Sequence, residues 1–229
     1  MAGLVYVVAS PIGNLDDISK RALDILSNVD IVAAEDTRIT KKILSKFNID
    51  AKMQSYHENN EINKSDSLIK DIKNGANIAI ISDAGTPCIS DPGYRLINKA
   101  RINNIEVVSV PGPSSVISAL SISGLPTDSF YFYGFLPKKK GRKSKIEFLS
   151  KIPSTVIIFE APYRIVKTLV DIREIMGERI ISVCREMTKR YEQNFFGKIS
   201  NIINIMEDAN IKGEFVLMVA KEGYHLDEK

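Results

Sequence analysis

Residues 77–93 read NIAIISDAGTPCISDPG. The first six, NIAIIS, form an apolar run without polar alternation, the pattern of a strand buried on both faces. The run stops at Asp83, and two Asp, two Gly and two Pro follow before residue 94. The pattern recurs outward in both directions. LVYVVA (4–9), IVAAE (31–35), KMQSY (52–56) and IEVVSV (105–110) read as further strands. Between them lie helical spacings: DISKRALDILSNV, with Asp16 or Asp17 as its cap, ITKKILSKF, NEINKSDSLIKDIKNG ending at Gly75, and YRLINKARIN. SSVISALSIS (114–123) is one more helix. Strand and helix alternating at this spacing predict parallel strands joined by right-handed crossovers, an α/β fold.

The segment GLPTDSFYFYGFLPKKKGRKSK breaks the alternation with aromatics, turn formers and dense positive charge. The domain boundary is expected there, giving an N-terminal domain 1–122 and a C-terminal domain 123–229. The second half carries strands TVIIFE (155–160), RIISVCRE (179–186), YEQNFFGK (191–198) and EFVLMVA (214–220), with helices YRIVKTLVDIREIMG and ISNIINIMED (199–208). Extended segments that follow one another without a long helix predict a mixed sheet.

Composition narrows the chemistry. The 229 residues are 44% hydrophobic and 26% charged with a net charge of +3, ordinary for a globular chain that buries a core. No apolar run reaches the roughly 18 residues of a membrane helix, so no membrane role is expected. Cys88 and Cys184 form no CxxC pair, which fits a reducing, cytoplasmic setting. With only two histidines, His57 and His225, a His-rich metal site is not expected, nor a Ser-His-Asp hydrolase. No GxGxxG or GxxxxGK[ST] follows a strand, which argues against a dinucleotide-dependent oxidoreductase and a nucleotide-triphosphate cradle.

The small, charged and turn-forming clusters ASPIGN, EDTR, DAGTP, PGPSS, APYR and REMTKR all fall just after strands. In open α/β sheets ligands bind outside those strand ends. Their carboxylates, hydroxyls and glycine backbone suit a nucleoside or amino-acid-like ligand with a cationic centre.

VASPIGNLDDIS, AAEDTRIT, ISDAGTPCISDPG, VPGPSS, YGFLPKK, FEAPYR, CREMTK and KGEFVLMV occur in this order from residue 4 to about 220. Together they resemble the tetrapyrrole-methylase class of S-adenosylmethionine enzymes, and within it the bacterial 2′-O-methyltransferases of small-subunit ribosomal RNA. The resemblance implies two α/β domains with S-adenosyl-L-methionine in the cleft between them, and a homodimer. It implies methylation of a cytidine ribose 2′-hydroxyl in the decoding region of 16S rRNA, with the small ribosomal subunit as partner. Longer members carry a further domain after the last strand, whereas this sequence closes on KEGYHLDEK. The alternatives are a methyltransferase of a tetrapyrrole or corrin precursor, and an RNA-binding module without catalysis.

The resemblance assigns cofactor contacts to Pro11, to Asp83, Ala84, Gly85 and Thr86, to Ser114 and Ser115, and to Phe159, Val216 and Leu217. Each has a plain structural reading beside it: a turn proline, a helix cap, a core strand residue. Asp91 is read as the cap of the helix that follows it. For activating the ribose hydroxyl the candidates are Glu35, Asp36, Glu160 and Glu186, with Glu160 first because Arg164 lies one helical turn on. A structural Glu160–Arg164 pair is the other reading. Arg185 is assigned to a phosphate or carboxylate. In PKKKGRKSK (137–145) six of nine residues are Lys or Arg, with Tyr131, Tyr133 and Phe135 just before. Clustered cations bind phosphates and aromatics stack on splayed bases. Lys138, Lys139, Lys140 and Arg142 are therefore expected to touch RNA, with Arg38, Lys189 and Arg190 as further contacts.

Overall fold

The computed structural model describes residues 2–207 and 212–226. It divides into two compact units, Met1–Ser114 and Ser115–Lys229. This division lies eight residues before the change of character near 122, because helix Ser115–Ile122 packs on the sheet of the second unit.

The first unit holds β1 (Val5–Val8), α1 (Lys20–Asn28), β2 (Ile31–Ala34), α2 (Thr37–Lys46), β3 (Met53–Ser55), α3 (Glu61–Lys73), β4 (Ile78–Ile81), α4 (Tyr94–Ile102) and β5 (Val107–Val110). The strand order is β3-β2-β4-β1-β5 and every pair is parallel. The unbroken apolar runs are explained by two core layers. Ile31, Ala33, Ile78 and Ile80 meet Leu68, Ile72, Leu96 and Ala100 of α3 and α4. Val32, Ala34, Ala79 and Ile81 face the other way, onto Ala22, Leu26, Ile43 and Leu44 of α1 and α2. Ser19, not Asp16 or Asp17, caps α1, by accepting from the Ala22 N–H. The stop expected at Gly75 is present, with that glycine at φ +103 directly after Asn74, the C-cap of α3.

The second unit holds α5 (Ser115–Ile122), β6 (Phe130–Phe135), α6 (Arg142–Ser150), β7 (Thr155–Glu160), α7 (Ile165–Met176), β8 (Ile180–Arg185), β9 (Gln193–Lys198), α8 (Ile199–Glu207) and β10 (Phe215–Val219). Asp208, the expected last residue of α8, lies outside the described residues. The order is β6-β7-β10-β8-β9, with β6–β7 parallel and the other pairs antiparallel, the expected mixed sheet. One face packs on Ile146, Leu149, Leu169, Ile172, Ile202 and Ile203 of α6, α7 and α8. No helix among the described residues is long and apolar enough to cross a membrane.

Candidate active site

In the first unit the loops after β1, β4 and β5 are strapped together. Ser10 and Gly85 form a two-hydrogen-bond bridge: the Ser10 N–H donates to the Gly85 carbonyl at 2.9 Å and the Gly85 N–H to the Ser10 carbonyl at 3.1 Å. Thr86 donates its hydroxyl to the Pro113 carbonyl at 3.3 Å. Gly85 has φ +81, and a β-carbon there would touch Ile12 Cγ2 at 3.4 Å. A β-carbon on Gly112 would press on Ala9 Cβ at 3.1 Å. Small residues at these positions let three backbone segments approach one another closely. Pro11 is buried beside them, Asp83 and Thr86 are half-buried, and Ala84 is exposed.

The loop after β2 joins this group through carboxylates. The Asp83 N–H donates to Glu35 Oε2 at 3.1 Å, and the Asp36 N–H donates to Asp83 Oδ1 at 3.0 Å. Burial pushes the carboxyls of Glu35 and Asp83 up. Asp91 is pushed up to about 7, first by burial and then by the charges of Glu35 and Asp83. Asp91 is not a helix cap: Gly93 occupies that position, and no side-chain cap bond is made there. Its carboxylate instead interacts with Ser82. Asp36 behaves differently. It caps α2 through the Arg38 N–H at 2.8 Å and pairs with the Arg38 guanidinium at 2.6 Å, which holds it down at about 2.

Glu35, Asp83 and Asp91 thus put excess negative charge at the carboxyl ends of β2 and β4, each in a setting that disfavours it. A cation brought there relieves the repulsion, so this group of loops fits a ligand with sulfonium and ammonium charges. Among the described residues no group of three or more His, Cys, Asp or Glu is arranged to hold a metal ion. Ser114 closes the first unit and Ser115 opens α5 of the second.

In the second unit Glu160, at the end of β7, has no side-chain exposure. Arg164 pairs with it: Nη2 donates to Oε2 at 3.0 Å, and Nε lies 2.9 Å from Oε1. The Ala161 N–H donates to Oε1 at 2.8 Å and the Thr168 hydroxyl to Oε2 at 2.6 Å. Arg142 completes the cluster. Its Nη2 donates to Thr168 Oγ1 at 2.7 Å, its Nε to Asp171 at 2.7 Å and its Nη1 to the Pro137 carbonyl at 3.2 Å. Three hydrogen-bond donors and a guanidinium ion pair converge on this carboxylate, so it is engaged within the fold. Of the two readings of Glu160 and Arg164, this geometry supports the structural pair. Arg142, 8% exposed, is spent inside the fold rather than on phosphate.

Phe159 and Val216 are register partners on β7 and β10 and share a face. Leu217 points to the opposite face, 0% exposed among the helices, so its side chain is core. Arg185 donates to the Lys212 carbonyl at 2.6 Å and to Gln193. Lys189 bridges Glu186 and Glu214, at 2.9 Å each, and against the effect of burial the Glu214 N–H and then Lys189 hold the Glu186 carboxyl down. Lys138, Lys139, Lys140, Arg190 and Arg38 are exposed. Lys138 and Lys139 line a groove of about 720 Å³ between α6 and α7, shared with Lys143 and Lys167. The residues missed by sequence reasoning are Asp91 as a site carboxylate and Ser10 as a strap. The Asp-Pro-Gly at 91–93 imitates a cap signal, and Ser10 is silent because its contribution is backbone.

Comparison with known proteins follows the same lines. The family model of the tetrapyrrole (corrin/porphyrin) methylases matches residues 4–203. A protein of Halalkalibacterium halodurans called ribosomal RNA small subunit methyltransferase I is 46% identical over 222 residues, 96% of this chain and 77% of its own. Its counterpart of the same name in Vibrio cholerae is 48% identical over 222 residues, 95% and 77% of the two chains. Among solved structures, a cobalt precorrin-4 methyltransferase superposes with a TM-score of 0.68 at 16% identity over 94% of both chains. A Thermus thermophilus uroporphyrin-III C-methyl transferase complexed with S-adenyl homocysteine gives 0.65 at 14%, over 96% of this chain and 98% of its own. At such identities these two structures speak for the fold alone.

Proposed function

The chain belongs to the tetrapyrrole (corrin/porphyrin) methylase family, and we propose that it methylates a cytidine 2′-hydroxyl in the decoding region of 16S rRNA from S-adenosyl-L-methionine. The observation that carries this reading is likeness along nearly the whole chain to proteins named for methylating small-subunit ribosomal RNA.

The cofactor would supply a methyl carbon made electrophilic by its sulfonium. The residues of the first unit have three tasks. Asp83 and Asp91 attract the cationic portion, and the backbone around Gly85 admits close approach. The Ser10–Gly85 bridge fixes both loops before binding, which lowers the ordering cost. The acceptor hydroxyl must give up its proton as the new O–C bond forms. Of the four carboxylates weighed for this, Glu160 is held by two guanidinium groups, Asp36 by Arg38 and Glu186 by Lys189. Glu35 is shifted toward greater basicity by burial, and it is assigned the proton. Lys138, Lys139 and Lys140 bind phosphates. The reading includes a homodimer in the cytoplasm with the small subunit as partner.

The test is incubation with methyl-labelled cofactor and either small ribosomal subunits, naked 16S rRNA or uroporphyrinogen. Label is expected in RNA, at a cytidine whose 3′ linkage resists alkali, as a 2′-O-methyl group requires. Label in the tetrapyrrole, or none in either RNA, overturns it.

A further inference from the structure

Two of the most exposed large aromatics of the second unit stand side by side in the topology: Phe135, 57% exposed, and Tyr163, 78% exposed. Phe135 ends β6 and is the register partner of Phe159 on β7, so the loops leaving these parallel strands emerge at the same end of the sheet. Tyr163 lies in the loop after β7. A bulge between Phe132 and Gly134 inserts one residue into β6, with Gly134 at φ +79. Three positions apart, Phe132 and Phe135 would face opposite ways on a regular strand. The bulge restores parity. Both then meet Phe159 edge to face, at 4.9 and 5.5 Å between ring centres.

The neighbouring backbone is clamped from inside. Arg164 Nη2 donates to the Leu136 carbonyl at 2.8 Å and Arg142 Nη1 to the Pro137 carbonyl at 3.2 Å. Phe135 immediately precedes one clamped residue, Tyr163 immediately precedes a clamping one, and Lys138–Lys140 follow at once. The other aromatics of this region are engaged: Lys145 lies over Tyr133 at 5.3 Å and over Phe148 at 5.2 Å, and Tyr131 packs on Phe148. Tyr163, and the large exposed part of Phe135 beyond its edge contact with Phe159, on a fixed backbone beside three exposed ammonium groups match the chemistry of single-stranded nucleic acid, whose bases stack while its phosphates meet cations.

We propose that Phe135 and Tyr163 form a stacking platform for unpaired bases of the RNA, next to the phosphate contacts of Lys138–Lys140. This rests on the RNA reading above and adds where the strand must be open.

The test uses a single-stranded RNA oligonucleotide carrying 2-aminopurine, and the same sequence as a duplex. Phe135→Leu and Tyr163→Ala are each expected to weaken single-strand binding by about 5- to 150-fold and to relieve the fluorescence quenching. They leave duplex binding and the salt slope as in wild type, while Tyr163→Phe binds normally. Lys138→Gln, Lys139→Gln and Lys140→Gln together flatten the salt slope by about 2, the contribution of three phosphate contacts. Aromatic variants that bind as wild type, while the triple lysine variant weakens, overturn the platform and leave the RNA reading standing. Lysine and aromatic variants that both bind as wild type overturn the platform and the phosphate contacts of Lys138–Lys140, and a wild-type protein that binds neither RNA overturns the RNA reading. Equal loss on duplex RNA, a loss of cofactor affinity, or a shift from dimer to monomer overturns the platform by assigning the rings to folding, cofactor or a second copy.

Discussion

Strand ends in both units carry buried or half-buried carboxylates, but Glu160 is paired with cations of its own unit and Glu35, Asp83 and Asp91 are not. Glu160 has two guanidinium groups, a hydroxyl and a backbone N–H around it. Glu35, Asp83 and Asp91 crowd one another with a single arginine nearby, and that arginine is already paired with Asp36. A carboxylate neutralised within the fold is a rivet. One held against its own repulsion is a place for a ligand's positive charge.

The sharpest way to break this contrast is Glu160→Gln. Arg164 then loses its counter-ion while Arg142 keeps Asp171, and the second unit should lose about 3–5 kcal/mol of stability, read by urea unfolding. Cofactor affinity of the remaining folded protein, read by calorimetry, should be unchanged. Full stability with lost turnover would return Glu160 to the catalytic side. Asp83→Asn comes next. The amide oxygen still accepts from Asp36, so the loops stay strapped, while removal of the charge should weaken cofactor binding about tenfold, some 1.4 kcal/mol. An unchanged dissociation constant would remove this carboxylate from the site.

The smallest effect on cofactor affinity belongs to Asp91. Its folded carboxyl, at about 7, holds a proton that the unfolded chain releases near 3.8. Stability therefore falls as pH rises from about 4 to about 7 and is level above. Ionised Asp91 attracts a cation, so cofactor affinity rises toward the upper end of the same window, on the order of threefold or 0.6 kcal/mol. Asp91→Asn should abolish both trends in a pH series of melting and titration. A wild-type slope in the variant would place the titrating group elsewhere.

The contrast also explains what could be read in advance. Parallel strands of the first unit announce themselves because Ile78–Ile81 is apolar on both faces, and the loops after them could be placed as a set. β6 was hidden, since the bulge at Gly134 destroys the alternation of FYFYGF. α6 was hidden because Arg142 occupies the first position of the buried spacing completed by Ile146 and Leu149. An arginine in a lysine-rich run looks like surface until its buried partners, Glu160 and Asp171, are located by the fold. Leu217 and Val216 could not be told apart without knowing which face of β10 meets the helices. Asp91 was masked by a glycine that took over the helix cap.

One consequence of the order β3-β2-β4-β1-β5 concerns synthesis rather than chemistry. β1 is made first, yet its partners are β4 and β5: Val5 pairs with Ile78 and Val107. At about 5–20 residues per second the chain needs on the order of 4–15 s before the first of these strands exists. Throughout that interval an apolar, unpaired strand trails from the ribosome, and the Ser10–Gly85 strap has no second half. The loops after β1 and β4 are thus among the last parts of the first unit to be strapped together.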